Sequence, residues 1–236
     1  MSHAYGKSAR LYDLFCRHKD YVAASRKLVD LIRVSNPSAR SLLDVACGSG
    51  SHLQILGHEF EAEGLDLSPE MLELARTKNP GVTFHQGDLA QFQLARTYDV
   101  VICLFGSVGY VGTLKRLHRA IAGMAAHLTS GGLLIVEPWL SPQSYRVGDI
   151  TADFLDEKEL KAARMYRHEL DGGQSVFNIE YLVGDAVGVH RFTERHALGL
   201  FTEAQYLEGF RRAGIEAAHA DDDLFGYGLY YGNREA

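Results

Sequence analysis

Three cysteines, five prolines and one tryptophan in 236 residues put several classes of protein out of reach. Cys16, Cys47 and Cys103 are too few and too scattered for a disulfide framework or a paired-cysteine metal site, so reduced thiols are expected. The histidines contain no HExxH-type pairing, and most are expected at the surface or hydrogen-bonded in the core; no metal is expected. No apolar run is longer than Val100 to Phe105, far short of the roughly 20 residues that cross a bilayer. Ahead of Lys7 there is no apolar stretch with a small-residue cleavage site, so a cytoplasmic protein without a membrane partner is expected. Positive charge is not in excess either. With 24 Lys+Arg against 30 Asp+Glu the net charge is −6, which offers nucleic-acid phosphates no global attraction. What is present, 46% hydrophobic and 23% charged residues, suits one large globular domain or one domain with a substantial insertion.

From Ser41 onward strand-like and helix-like segments alternate. Short apolar runs at Ser41 to Ala46, Glu63 to Asp66, Val82 to His85, Tyr98 to Leu104 and Gly132 to Glu137 read as strands. Ser68-Pro69 is an N-cap followed by a proline at the first helical position, opening a helix that Asn79-Pro80 stops. Leu114, Leu117, Ile121, Met124 and Leu128 recur at helical intervals after Thr113. Alternation of this kind predicts parallel strands joined by right-handed crossovers. After Pro138 the rhythm changes. Met165 to Leu170 and Ser175 to Gly184 flank an Asp171-Gly172-Gly173 turn, and Val189 to Phe201 adds a third alternating segment, together predicting an antiparallel insertion. Thr202 to Gln205 has capping-box spacing for a helix stopped by Gly214, and Leu224 to Gly232 reads as a last strand. The expected division is 1–138 for the α/β domain with an N-terminal helical cap, 139–200 for the insertion and 201–236 for a returning helix and strand.

The most informative segment is Leu42 to His52, a strand running through Gly48-x-Gly50 into a helix. Glycines there let a ligand lie against the backbone at the strand's C-terminal end, where open α/β sheets bind ligands. A dinucleotide fold asks for a third glycine three residues past Gly50, but Leu53 stands there, so NAD is disfavoured. Asp66, at the end of the second strand, is placed to accept ribose hydroxyls, a feature that does not discriminate between cofactors. Taken singly, Asp44 reads equally as a loop cap, Asp66 as a first-turn carboxylate and Asp88 as a turn aspartate. Placed together at successive strand ends, they point to a ligand. Cys47 beside the loop reads as a packing residue, since no activating base is evident.

Asp44-x-Ala-Cys-Gly-x-Gly, Gly64-Leu-Asp-Leu-Ser68, Gly87-Asp88-Leu89 and Ser130-Gly-Gly-Leu-Leu-Ile-Val-Glu137, in this order, resemble the class I S-adenosylmethionine-dependent methyltransferases. The resemblance implies an α/β fold with a Rossmann-like, mostly parallel, doubly wound sheet, and the antiparallel β insertion after its fifth strand. It also implies S-adenosyl-L-methionine as cofactor. Asp44 and the Ala46 to Gly50 loop, with Gly48 and Gly50, would approach the methionine moiety. Asp66, with Leu67 next to it, would hold the ribose, and Asp88 with Leu89 the adenine amino group. Met71, Leu104 and Phe105 would supply apolar walls.

Further stretches, namely Leu11 to Phe15, Lys19-Asp20-Tyr21, Phe105 to Tyr110, Glu137-Pro-Trp139 with Pro142, Leu200-Phe-Thr202 with Tyr206, and Gly228-Leu229, are similar to the sugar N-methyltransferases that dimethylate nucleotide-linked deoxyaminosugars, as in desosamine and mycaminose biosynthesis. By that resemblance Ser107 and Tyr110 line the pocket where the amine meets the methyl group, and Tyr5 closes over it. Tyr12 falls on the substrate side, and Arg17 near the cofactor or phosphates. Trp139, Tyr145 and Arg146 flank the cleft, where a base can stack and a diphosphate can pair with a guanidinium. Without the resemblance, Ser107 is equally a helix cap, Tyr5, Tyr110 and Trp139 packing residues, and Arg17 a solvated arginine. Two departures stand out. Gly226-Tyr227-Gly228 replaces the Gly-Arg-Gly of the related enzymes, and Val176 to Tyr181 lacks their arginine and histidine. Arg164, Arg167 and Arg191 are the candidates to compensate.

A methyl donor that is already activated asks the protein chiefly to align the nucleophile and exclude water. An indispensable general base is not expected. The anticipated activity is mono- or dimethylation of the amino group of a TDP-linked deoxyaminosugar in antibiotic sugar biosynthesis, by a monomer or homodimer. A methyltransferase of another small-molecule amine or hydroxyl is the alternative.

Overall fold

The computed structural model describes residues 5–220, 224 and 226–235. Two helices, α1 (Ala9–Cys16) and α2 (Tyr21–Ser35), lead into an alternating series: β1 (Ser41–Val45), α3 (Leu53–Glu59), β2 (Glu61–Asp66), α4 (Pro69–Lys78), β3 (Thr83–Gln86) and β4 (Tyr98–Cys103). A 3-10 turn over Ser107–Val111, α5 (Leu114–Ala126) and β5 (Leu128–Val136) follow. Next come β6 (Ile150–Asp156), β7 (Lys161–Arg167), β8 (Glu169–Asp171), β9 (Gln174–Asp185) and β10 (Gly188–Gly199). The chain returns through α6 (Glu203–Arg212), β11 (Ala218–Ala220) and β12 (Leu229–Asn233).

Neighbouring residues of the central strands feed opposite layers. Leu43, Val101, Cys103, Leu134 and Val136 pack with Leu117, Ile121 and Met124 of α5 and Phe210 of α6. Leu42, Val100, Ile102, Leu133 and Ile135 pack on the other face with Leu28 and Ile32 of α2 and Leu53 and Leu56 of α3. Both faces being covered, the strands need apolar residues at every position, as parallel sheets do. The sheet runs β11-β12-β5-β4-β1-β2-β3. β1 to β5 pair in parallel, while β12 joins β5 antiparallel and β11 follows it. Strand order reverses between β1 and β4, which opens a crevice at their C-terminal ends.

The second sheet, β10-β9-β7-β6 with β8 on β9, is antiparallel throughout. Leu155, Phe177, Ile179, Tyr181, Val183 and Leu198 bury one of its faces against Leu11 and Phe15 of α1, two residues one helical turn apart. This layer hangs over the crevice and forms its roof. Local caps fix the entries of the helices that matter here. Ser68 accepts from the amide of Met71 at 3.2 Å, with Pro69 at the first helical position, and Thr202 with Gln205 forms a complete capping box.

Four features depart from the expectations. β5 starts at Leu128, not Gly132, because α5 ends at Ala126 and the carbonyl of its C-cap, His127, accepts from the Tyr98 amide, so Leu128 belongs to the strand. β6 carries a weak alternation typical of an edge strand, half exposed on both sides, and gave no clear signal. β11 is only three residues long. The last strand begins at Leu229, beyond Gly226 and Gly228; Phe225, inside the segment read as strand, lies outside the described residues.

Candidate functional site

At the C-terminal end of β1 the Asp44 side chain is buried, and among the described residues no hydrogen-bond donor reaches it. Burial pushes its carboxyl well above the usual range, and the charge of Asp66 adds to this. A buried carboxyl in that condition favours a cation beside it. The chain then turns through Ala46, which holds a positive φ of 62°. Gly48 donates its amide to Asp66 Oδ2 at 2.8 Å, and Ser68 donates to Oδ1 at 2.9 Å. Burial raises the Asp66 carboxyl while these amides oppose the rise. The loop and the end of β2 are thereby tied into one cradle with two carboxyls facing the same space.

That space is a cavity of about 580 Å³, in the size range of small-molecule sites. Its floor is the cradle, with Leu67, Met71, Asp88 and Leu89 at one end. Asp88 is paired with Arg116, Nη2 to Oδ2 at 2.8 Å, and accepts from the Ala90 amide; burial notwithstanding, these contacts hold its carboxyl below the usual range. Beyond β4, Leu104, Phe105, Ser107 and Tyr110 form the next wall. Phe105 sits at φ 59° and donates its amide to the buried Glu137 carboxylate at 2.5 Å, while the Lys19 ammonium lies 4.0 Å from its ring centre. Ser107 begins the 3-10 turn, whose N-cap is Gly106, and its hydroxyl caps no helix.

The roof comes from the N-terminal segment and the second sheet. Tyr5, at φ 69°, shares a hydroxyl hydrogen bond of 2.9 Å with Tyr110 and packs edge-on against Tyr12. Among the described residues three that are not glycine adopt the left-handed conformation, Tyr5, Ala46 and Phe105, and all three line the cavity. Such backbone costs about 1–3 kcal/mol per residue and gathers at functional sites. Trp139 donates its indole N–H to Ser175 at 2.9 Å and lies 5.6 Å from the Tyr227 ring, centre to centre. Tyr166 and Phe177 extend this aromatic wall.

Of the residues singled out in the sequence, Tyr5, Tyr12, Asp44, Ala46, Gly48, Asp66, Leu67, Met71, Asp88, Leu89, Leu104, Ser107, Tyr110, Trp139 and Tyr227 all line this one cavity. Four do not. Gly50 faces away: a Cβ there would lie 2.7 Å from the Asn79 side-chain nitrogen and 3.2 Å from the Ala75 Cβ, so this glycine lets the loop pack on α4. Arg17 is exposed and paired with Glu157. Tyr145 is buried under the second sheet, donating its hydroxyl to the Glu169 carbonyl at 2.8 Å, and Arg146 points to solvent. Among the three arginines proposed to compensate, Arg164 lines the cavity, paired through Nε with Asp153 at 2.7 Å; Arg167 and Arg191 do not.

His196 and, behind it, Glu194 escaped the sequence reading. Both sit on the buried face of β10 with Leu198, at intervals of two. Two ionisable residues on the apolar phase of an alternating strand were the available signal.

The Methyltransferase domain family model matches residues 42–132. Over 228 residues the chain is 39% identical to the dTDP-3-amino-3,4,6-trideoxy-alpha-D-glucopyranose N,N-dimethyltransferase of Streptomyces venezuelae, covering 95% of this chain and 96% of that one. It is 36% identical to the dTDP-4-amino-2,3,4,6-tetradeoxy-D-glucose N,N-dimethyltransferase of Saccharopolyspora spinosa, covering 96% and 92%. Its fold matches the S-adenosylmethionine-bound structure of an amino pentose methyltransferase of Micromonospora echinaspora, involved in calicheamicin biosynthesis, with a TM-score of 0.86, 36% identity and 99% of each chain covered. A buried carboxyl seeking a cation, a second carboxyl held open at the end of β2 and a cavity of matching size suit the cofactor these proteins use, and the chain belongs to the family of S-adenosylmethionine-dependent sugar N-methyltransferases.

Proposed function

We propose that the chain methylates the amino group of a TDP-linked deoxyaminosugar, once or twice, in the making of an antibiotic sugar. When bound, S-adenosylmethionine supplies an electrophilic methyl carbon on a cationic sulfur. In this reading Asp44 faces the positive charge of the methionine moiety, and Asp66, its orientation set by the amides of Gly48 and Ser68, accepts the ribose hydroxyls. Asp88, Leu89 and Arg116 would meet the adenine, while Met71 and Leu104 would flank it. The single observation that carries the proposal is that this carboxylate cradle opens onto the same cavity as Tyr5, Ser107 and Tyr110.

Those hydroxyls would accept an N–H hydrogen bond and hold the amine in line. Amines attack when unprotonated, and transfer from water into a partly apolar pocket disfavours the charged form. Trp139, Tyr227 and Tyr12 offer faces for a nucleotide base. Arg164 and Lys19 are the cations on the substrate side of the cavity, and burial lowers the pKa of Lys19. Because Arg164 is already paired with Asp153 and Tyr227 replaces an arginine, a small amine without a diphosphate is the second reading.

The test is mass spectrometry of TDP-linked 3-amino and 4-amino sugars, each beside the free aminosugar, after incubation with S-adenosylmethionine. Products carrying one or two methyl groups at nitrogen, from the nucleotide-linked substrates, are expected. Methylation of the free sugars alone would favour the second reading, and no methylation of any would overturn both.

A further inference from the structure

The cavity roof contains a hydrogen-bond chain that leads from the cavity to β10. Tyr5 Oη lies 2.9 Å from Tyr110 Oη, and Tyr110 Oη lies 2.7 Å from His196 Nδ1. On the far side of the imidazole, Nε2 is 3.9 Å from Glu194 Oε2 and has no partner at hydrogen-bond distance. Glu194 in turn accepts from the amides of Lys7 and Ser8, at 2.7 and 3.1 Å, and from the Ser8 hydroxyl at 2.5 Å. Glu194, held by those three donors, presents an anion to Nε2, so the ring keeps its own proton there. Nδ1 is then an acceptor, so Tyr110 donates to it. Tyr110's oxygen is left to accept from Tyr5, and Tyr5's oxygen is left to accept from whatever occupies the cavity.

We propose that His196, backed by Glu194, takes up through Tyr110 and Tyr5 the proton that must leave the amine between a first and a second methyl transfer. This rests on the reading of the chain as an aminosugar N-methyltransferase. The first transfer can begin with an amine that lost its proton to solvent before it entered. The product of that transfer is a secondary ammonium inside the cavity, with no lone pair until one N–H bond breaks. The bond's electron pair stays on nitrogen, its proton passes to Tyr5 Oη, the Tyr5 proton to Tyr110 Oη, and the Tyr110 proton to His196 Nδ1. Each tyrosine ends neutral and the imidazole ends as an imidazolium beside an anion. It returns its proton to solvent when product leaves.

The surrounding charges suit this assignment. Burial pushes the hydroxyls of Tyr5 and Tyr110 well above the ordinary phenol range, so neither can remain ionised, and a proton accepted from substrate must move on. Although burial alone would raise it, His196 and the donors of Ser8 and Lys7 hold the Glu194 carboxyl down at about 2, so it stays an anion throughout. The other titratable groups facing this chain are Cys16 and Tyr12 of α1 beside Tyr5, Tyr181 of β9 near Glu194, with Arg164 beyond it, and Asp66 across the cavity from the two tyrosines. His196 and Glu194 act through Tyr110 and are positioning residues; neither need touch the sugar.

The decisive variants are His196→Asn, which keeps an acceptor where Nδ1 stands but cannot become a cation, and Glu194→Gln, which keeps an acceptor but removes the anion. Single-turnover reactions would be followed by mass spectrometry for monomethyl and dimethyl products across pH, beside each variant's melting temperature. With His196→Asn the first transfer should stay within about threefold of wild type. The second should slow by about 10²-fold, the scale of a proton-transfer catalyst, so that monomethyl product accumulates. Raising the pH should restore the second step, because solvent then deprotonates the intermediate. Glu194→Gln should show the same bias more weakly. An unchanged product ratio and pH profile in both variants, or an equal fall in both steps that persists at every pH, would overturn the relay while leaving the methyltransferase reading intact. A wild-type protein that methylates none of the sugars would end both.

Discussion

Ser49, in the turn after β1, donates its hydroxyl to Asp13 of α1 across 2.6 Å. Lys78, at the end of α4, closes the triangle: its ammonium lies 2.6 Å from Asp13 Oδ2 and 2.9 Å from the Ser49 hydroxyl. The segment that carries Tyr5 and Tyr12 over the cavity is thereby fastened to the loop proposed to hold the cofactor. Asp13→Ala should release that fastening without touching any ligand. Both charged side chains remain partly exposed, so the loss should be about 1 kcal/mol, roughly a fivefold rise in the cofactor's Kd. Titration calorimetry with S-adenosylmethionine checks it; an unchanged Kd would show that the loop keeps its shape unaided.

Asp66 offers a sharper test. Its two oxygens are held by the Gly48 and Ser68 amides, so Asp66→Ala removes a loop brace as well as the proposed ribose contact. The melting point of the free protein should fall by the worth of such charge-assisted bonds, on the order of 1–3 kcal/mol. The informative quantity is the ligand-induced shift. At one hundred times its Kd a ligand contributes about 2.7 kcal/mol, or roughly 5–10 °C for a chain of this size. Wild type should show that shift with S-adenosylmethionine and not with NADH, and Asp66→Ala should show none. An equal shift in the variant would move the ribose elsewhere.

The cradle was legible because it is built from contiguous sequence: a strand, a glycine turn and carboxylates at successive strand ends. Gly50 looked like part of the ligand surface, yet the same glycine signature serves packing on Ala75 and Asn79 of α4. Arg17, Tyr145 and Arg146 were placed by position in the chain, and direction is what position cannot supply. Tyr145 follows the fifth strand as expected but turns under the second sheet, toward Glu169. His196 was hidden for the opposite reason. It lies 86 residues from Tyr110, and only the folding of the insertion over the crevice brings the two together. The central sheet, whose strands are buried on both faces, announced itself through apolar runs. The half-exposed edge strand Ile150–Asp156 did not.

His52 gives the protein a titration that can be read without substrate. Burial of the ring, whose Nδ1 lies 3.0 Å from the Ser25 hydroxyl, lowers its pKa from 6.5 to about 4. Between those values the unfolded chain binds a proton that the folded chain refuses. Stability from this group is therefore complete above about pH 6.5 and is lost as pH falls toward 4, by on the order of 3 kcal/mol in all. Urea unfolding at a series of pH values should show wild type losing more stability over that window than His52→Gln, whose amide does not titrate. Parallel curves for the two proteins would mean that the imidazole charges freely in the folded state.

Gly106 separates the substrate wall from the cofactor cradle. It takes a φ of 65°, and a Cβ there would lie 2.7 Å from Trp139 Cε3. Gly106→Ala must therefore bear backbone strain and also push the indole, whose N–H is anchored on Ser175, toward the cavity. Overpacking of this kind costs about 1–3 kcal/mol, so the melting point should drop by roughly 3–10 °C. If Trp139 forms part of the sugar-nucleotide wall, the KM for that substrate should rise by about tenfold, equivalent to about 1.4 kcal/mol, while the shift induced by S-adenosylmethionine stays intact. A drop in melting temperature with an unchanged substrate KM would instead make Trp139 a packing residue, and the base of the nucleotide would have to stack elsewhere along the roof, on Tyr12 or Tyr166.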